Sequence, residues 1–234
     1  TNADSFIVSL ISSSSHNCRD TTQVAIVVHP QPDSKFTVDT PGMCLNDNLF
    51  RFHNKSTVPN GTLNYQWMFE MKDSSSLKDP SYSFITHGTK HITLASRSLF
   101  GCTDTLTDSV QVHPMPVAIA HLNDTAQCIN AQNMVFTDSS KIAYGALQRI
   151  WLWSNGQSDT AGKVKRSFAR DSLYSHKLVS ISLHKCSDTV LLSHRILPLP
   201  EPAFTINDSS QCLNSQLFSF MSSSPQASIN RYEW

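Results

Sequence analysis

The residues of this chain whose type and spacing most directly imply chemistry are its six cysteines. Three stand in the phrase Cys-x-Asp-Thr, at Cys18, Cys102 and Cys186, and three more at Cys44, Cys128 and Cys212, each set spaced by 84 residues. The second set is followed by Leu or Ile and then by Asn46, Asn130 or Asn214. No Cys-x-x-Cys pair occurs, and zinc asks for more closely spaced ligands. The regular positions therefore predict a disulfide framework formed in an oxidising compartment, with buried free thiols as the alternative.

The aspartates of the repeated phrase, Asp20, Asp104 and Asp188, read in two ways. Each could cap a turn by accepting backbone N–H bonds, or offer one oxygen to a calcium ion at a domain junction. No neighbouring acidic cluster accompanies them, so turn capping is the expectation and no cofactor is assigned. Asn46, Asn130 and Asn214 carry the same capping reading. The ten histidines are scattered. His29 and His113 precede Pro30 and Pro114, whereas His194 falls out of register, and all are read as strand-end residues. No HExxH, Gly-x-Ser-x-Gly or phosphate-cradling glycine loop is present, so no enzyme is expected and no catalytic residue is named.

A constant interval this long means tandem copies of one small domain. The 234 residues hold two complete copies flanked by two partial ones. Pro30/Pro32, Pro114/Pro116 and Pro198/Pro200 mark the junctions, because proline ends a strand and stiffens the backbone beyond it. The expected division is 1–32, the C-terminal part of a repeat; 33–116 and 117–200, complete repeats; and 201–234, the N-terminal part of another. The partial copies imply a segment of a longer chain.

Within each copy the same elements return. A short strand (Phe36–Val38, 118–122, Phe204–Ile206) precedes the second cysteine. An alternating strand comes after it, in which Phe52, Phe136 and Phe220 point to the core. Then comes an aromatic strand carrying Trp67 or Trp151, with Trp234 one residue early; the indole is expected to plug a small sandwich. Two β-rich runs flanking Cys-x-Asp-Thr close the copy. No sustained helical periodicity appears, and strands recur every 8–15 residues, so the class is all-β, a string of sandwiches of about seven strands.

Eighteen basic and eighteen acidic residues leave a formal net charge of zero. Neither nucleic acid nor an anionic membrane is an expected partner. No apolar run approaches the roughly 20 residues of a spanning helix.

At the aromatic strand the pattern resembles a known family. Phe52-x-Asn54-x-Ser56, Tyr65-x-Trp67-x-Phe69, Tyr82-x-Phe84, Gly88 and Gly101-Cys102-x-Asp104-Thr105 are similar to the PKD (polycystic kidney disease) domain, an immunoglobulin-like sandwich. The resemblance runs the length of the chain at one repeat per 84 residues. It departs at the family's Trp-x-Phe-Gly-Asp-Gly turn: Glu70-Met-Lys-Asp73 come after Phe69, and Ser154-Asn-Gly156 after Trp153. The cysteine pair and the Gly-Cys-x-Asp-Thr phrase look most like the PKD arrays of very long Bacteroidota surface proteins. That likeness implies type IX secretion, a cell-surface location, adhesion and gliding motility.

The immunoglobulin-like topology implied by the resemblance puts Cys44 at one end of its domain and Cys102 at the other. Seven extended residues cover roughly 23 Å, against about 4.4–6.8 Å between bridged Cα atoms. The preferred pairing is thus interdomain, Cys44–Cys186, with Cys18, Cys102, Cys128 and Cys212 pairing outside the segment or left unpaired. The rival, Cys44–Cys102 with Cys128–Cys186, holds if the segment folds back. In the same lineage O-glycosylation uses a short Asp-Ser/Thr pattern, which nominates Thr105, Ser109, Thr125, Thr160, Ser172 and Thr189. Asn54, Asn60, Asn123 and Asn207 are N-x-S/T acceptors only for a eukaryotic or archaeal source.

The function expected is a structural and adhesive stalk segment of a long extracellular protein or filament. Its partners would be neighbouring repeats, other copies in a filament, and surface glycans or a host or substratum. The alternative is an accessory carbohydrate- or protein-binding module array of a secreted degradative enzyme.

Overall fold

The computed structural model describes residues 4–224, 231 and 233; Tyr232 and Trp234 of the last expected aromatic strand lie outside the described residues. The chain opens with an antiparallel hairpin, β1 (Asp4–Ser13) and β2 (Arg19–Val28). The first sandwich is made of β3 (Phe36–Val38), β4 (Gly42–Cys44), β5 (Phe50–Asn54), β6 (Leu63–Phe69), β7 (Asp73–Ser75), β8 (Ser81–Tyr82), β9 (Gly88–Ser98) and β10 (Thr103–His113). The second repeats it: β11 (Ala120–Leu122), β12 (Ala126–Cys128), β13 (Met134–Asp138), β14 (Leu147–Leu152), β15 (Ser158–Asp159), β16 (Lys163–Arg166), β17 (Ser172–Ser182) and β18 (Ser187–Leu197). A short pair, β19 (Phe204–Ile206) and β20 (Phe220–Ser222), comes last. Two compact units result, Thr1–Met115 with His184–Cys186, and Pro116–Leu183 with Ser187–Trp234.

Each sandwich packs a five-stranded sheet on a three-stranded one. In the first the orders are β4-β10-β9-β6-β7 and β3-β5-β8; in the second, β12-β18-β17-β14-β15 and β11-β13-β16. Eight strands per repeat, rather than about seven, arise because the first strand splits. β3 pairs antiparallel with β5, and the chain then crosses to the other sheet, where β4 pairs parallel with β10. The crossing puts Gly42 against the His113 side chain: a Cβ on Gly42 would lie 2.7 Å from His113 Nε2, so a side chain there would have to displace the imidazole, whereas the second copy makes the same crossing with Ala126.

The cores arise from period-2 alternation. Along β9, Lys90, Ile92, Leu94, Ser96 and Ser98 are buried while Thr89, His91 and Arg97 are exposed. Trp67 and Trp151 are fully buried, and each indole N–H donates to a loop carbonyl, Leu77 O at 2.9 Å and Ala161 O at 3.0 Å. That bond satisfies the polar end of an otherwise apolar plug. Phe52 and Phe136 are buried beside them. Phe220 is not the core residue its position implied: it is 51% exposed, because among the described residues β20 pairs only with β19 and no second sheet covers its face. The β1–β2 hairpin likewise exposes Val8, Leu10 and Ile26, which stand one period before the buried Ile92, Leu94 and Val110.

The departures from the glycine-rich turn are resolved differently in the two copies. Glu70 and Met71 both adopt positive φ, 50° and 56°, and Lys72 N–H donates to Phe69 O at 3.0 Å. The connection from Phe69 to its partner Asp73 is thus three residues long, with two of them left-handed and neither a glycine. At the equivalent turn of the second copy only Gly156 is left-handed (φ 81°), after a turn closed by Gly156 N–H to Trp153 O at 3.0 Å. A left-handed conformation costs an L-residue about 1–2 kcal/mol, and Met71 is 86% exposed. Met71→Gly should therefore raise the stability of the first sandwich by about 0.5–1 kcal/mol, after subtracting glycine's larger unfolded-state entropy. A higher urea midpoint at unchanged slope is the expected result; an unchanged or lower midpoint would remove the strain argument.

Candidate functional site: the cysteine bridge and the recurring corners of the repeat

Cys44 is bonded to Cys186, with Cα atoms 5.6 Å apart and a sequence separation of 142. The reason lies in the sheet crossing. Cys44 pairs with His113, the last residue of β10, whereas Cys102 immediately precedes the first. Eleven residues of β10 separate the two positions, roughly 35 Å, so a Cys44–Cys102 bridge is out of reach and is not formed. Cys186 is 2% exposed in the turn between β17 and β18, and the last three residues of that turn, His184–Cys186, belong to the first compact unit. Beside the bridge the imidazoles of His113 and His184 stack, with centroids 3.5 Å apart and planes at 9°. Burial and the neighbouring His184 both hold His113 below its ordinary pKa. One period earlier the ring of His29 stacks on Phe100 at 3.6 Å. The histidine before the proline is therefore a stacking partner as well as a strand-end residue. Cys18, Cys128 and Cys212 are exposed thiols and Cys102 is half-buried.

The aspartate of Cys-x-Asp-Thr clasps the start of its own repeat. Asp104 Oδ2 accepts Ser34 N–H at 2.7 Å, and Asp188 Oδ2 accepts Ala118 N–H at 2.8 Å. The other oxygen of Asp188 accepts Thr189 N–H, as Asp20 does from Thr21. The Ser34 bond holds the Asp104 carboxyl below its usual range. The carboxylates are thus occupied by backbone donors. Among the described residues no three His, Cys, Asp or Glu side chains converge on one point, and no helix is long and apolar enough to cross a membrane.

The other repeating corner is held by residues that the periodic reading did not single out. Asn48 Nδ2 donates to Leu45 O and Phe84 O at 2.7 and 2.9 Å, and its Oδ1 accepts Phe84 N–H at 2.8 Å. Gln132, one period on, makes the same three bonds to Ile129 and Phe168. These amides, rather than Asn46 and Asn130, secure the turn after the cysteine. Ser56 and Ser140 bond Ser96 and Ser180 across each sandwich at 3.0 and 2.7 Å. The signal was available: an amide residue recurs at positions 48, 132 and 216, but Asn gives way to Gln and hides the register.

Asn54 is 7% exposed and its Oδ1 accepts Ser56 N–H, so it is a turn residue and not an accessible glycan acceptor. Thr105, Ser109, Thr125, Thr160, Ser172 and Thr189 are all exposed.

His176 and His194 correct the strand-end reading of the histidines. They lie inside β17 and β18, each 1% exposed, at the positions that Ile92 and Val110 fill in the first sandwich. Their rings are 5.1 Å apart within Phe136, Trp153, Phe168 and Tyr174. Ser154 N–H donates to His176 Nδ1 at 3.2 Å, which assigns the remaining proton to Nε2; among the described residues His176 Nε2 and both nitrogens of His194 find no partner. Burial, then His194 and Arg166, pushes His176 down to about 4, and burial lowers His194 as well.

A neutral buried imidazole whose folded pKa is depressed leaves stability untouched above about pH 6.5. Below that the unfolded chain takes up protons that the folded one refuses, and the loss grows as pH falls to about 4. For His176 it amounts to about 3 kcal/mol. The second sandwich should accordingly lose melting temperature between pH 6.5 and 4. The exchange His176→Ile with His194→Val, which installs the first sandwich's residues, should flatten that limb. Parallel melting curves for the two proteins across this range would sink the assignment.

A scan against protein-family models finds no match, and a search of curated proteins finds none either. Among solved structures the chain is similar to the PKD1 domain of Vibrio anguillarum Epp, at 28% identity over 36% of this chain and 96% of that one, with a TM-score of 0.33. It is also similar to the PKD1 domain of the Vibrio cholerae metalloprotease PrtV, at 22% identity, 36% and 98% coverage and a TM-score of 0.31. A third likeness is to a 1.5-MDa bacterial ice-binding adhesin, at 8% identity, 84% and 75% coverage and a TM-score of 0.35.

Proposed function

We propose that this chain is a tension-bearing stalk segment of a long extracellular surface protein or filament, built from PKD-like repeats with boundaries near residues 32, 116 and 200. The observation that carries the reading is the Cys44–Cys186 bridge. A disulfide between non-equivalent positions of successive copies encloses most of both sandwiches, so tension entering at one end of the chain crosses the bridge without unfolding the residues inside it. Applied at every period, the same pairing would give Cys128 a partner in the next repeat and Cys102 one in the preceding repeat. Successive bridges would then overlap along the chain, a device with a purpose in an array under tension. Disulfides persist in oxidising, extracellular settings, which agrees with a cell-surface location. The Gly-Cys-x-Asp-Thr phrase supports an origin among type IX-secreted Bacteroidota adhesins, where gliding and adhesion to glycans or a substratum would be the cellular roles. The exposed Asp-Thr and Asp-Ser hydroxyls supply acceptors for O-glycosylation of such a stalk.

Stretching single molecules from their termini tests the mechanical claim. Without reductant, the chain between the bonded cysteines, which are 142 positions apart, should stay hidden. With reductant, or in Cys44→Ser, roughly 500 Å of additional contour length should appear. Equal extension in both conditions would refute a bridge that carries tension, and with it the stalk reading.

A further inference from the structure

The two sandwiches share the same recurring bonds yet differ sharply at one corner. In the first copy that corner pairs its own charged groups. Lys90 Nζ lies 3.1 Å from Glu70 Oε2 and 2.7 Å from Thr86 Oγ1, and the Tyr82 hydroxyl donates to Asp73. One period on, Glu70 is replaced by Ser154, Asp73 by Gln157, Tyr82 by Arg166, Thr86 by Arg170 and Lys90 by Tyr174. Glu70, Asp73 and Lys90 carry a summed charge of −1; Arg166 and Arg170 carry +2. The substitutions take away both carboxylates and bring in two guanidiniums.

The corner so altered is an open cleft of about 320 Å3, lined by Arg166, Arg170, Ser154, Asn155, Phe168 and Tyr174 among others. That lies at the lower end of the size range of ligand sites. Arg166 is held in place: its guanidinium lies 4.3 Å over the Trp153 ring and its Nη1 donates to Gln157 Oε1 at 2.9 Å. Tyr174 is fixed by its hydroxyl, which donates to Arg170 O at 3.0 Å, and its ring packs on Phe168 at 4.4 Å. Among the described residues neither arginine forms a salt bridge. The carboxylate nearest in sequence, Asp171, lines a separate recess with Arg195.

A pair of planar forked cations without an internal counter-charge suits a carboxylate. The rings of Phe168 and Tyr174 offer an apolar face, and the Asn155 amide and the Ser154 hydroxyl offer partners for hydroxyl groups. We propose that this cleft of the second sandwich binds the uronate unit of an acidic polysaccharide. The carboxylate sits between Arg166 and Arg170, and the sugar ring lies against the aromatic wall. The site belongs to this copy alone of the two complete ones, and it stands whether or not the chain bears load.

Titration of the 15N-labelled chain with trigalacturonate decides it. Shifts confined to the amides around Asn155, Phe168 and Tyr174, saturating with a Kd at or below about 1 mM, are expected. Glucotriose, which lacks carboxylates, should leave those amides unmoved. Arg170→Gln should weaken binding by roughly tenfold, and Arg166→Lys, which keeps the charge and loses the fork, by several-fold, while both retain the wild-type pattern of amide shifts elsewhere. No response at 20-fold the expected Kd, or an equal response to glucotriose, would overturn the proposal. Inorganic phosphate binding as tightly as the sugar would overturn it too, reducing the cleft to a site for an adventitious ion only.

Discussion

The constraint on which most of this structure depends is the crossing of the first strand from one sheet to the other. An edge strand that stayed in the three-stranded sheet would leave β10 with a bare edge; by crossing, β4 covers it in parallel register. The same move carries Cys44 to the far end of β10, one full strand length from Cys102. A bridge inside the repeat becomes geometrically closed, and the thiol is left for Cys186. Gly42 leaves room for the His113 imidazole in the first copy, and the second copy makes the same parallel pairing with Ala126.

Around that constraint the repeat keeps bonds and trades surfaces. The indole-to-carbonyl bond, the Asp clasp on the first residues and the amide latch on Phe84 or Phe168 recur at identical positions. Each pairs a buried polar group that would cost about 1–3 kcal/mol if left open, so the set defines the frame. The volume within the frame is filled more freely. Phe50 and Met134 are equivalent, as are Phe69 and Trp153, Ile92 and His176, and Val110 and His194. Replacing two aliphatic side chains with imidazoles puts unsatisfied nitrogens among the aromatic rings of the second core, where the first has Ile92 and Val110. The second sandwich therefore carries an acid-sensitive centre beneath the corner where its charge is inverted.

Much of the architecture was legible in the residues. The 84-residue interval, the alternation around Phe52 and Phe136, and the tryptophans are local features, and backbone periodicity turns them into strands and cores without help from distant partners. The turn chemistry was legible only as a departure: losing glycine after Phe69 said that the turn was unusual, but the left-handed pair Glu70-Met71 is tolerated because the strands on either side hold it. Phe220 shows the converse, since its position in the alternation is that of a core residue and only a facing sheet makes it one. Asn48 and Gln132 escaped notice because the frame needs a side-chain amide at a given reach, which two residue types supply.

Taken alone, the sequence determined the all-β class, the repeat length and the identity of the cysteines, because these rest on spacing and on side-chain alternation along one strand. The tertiary structure decided which cysteines meet, which histidines are buried and where two arginines stand without a salt bridge among the described residues. Each of those depends on residues far apart in the chain, 142 positions for the bonded cysteines, brought together by the packing of two sheets, and no local propensity encodes that distance.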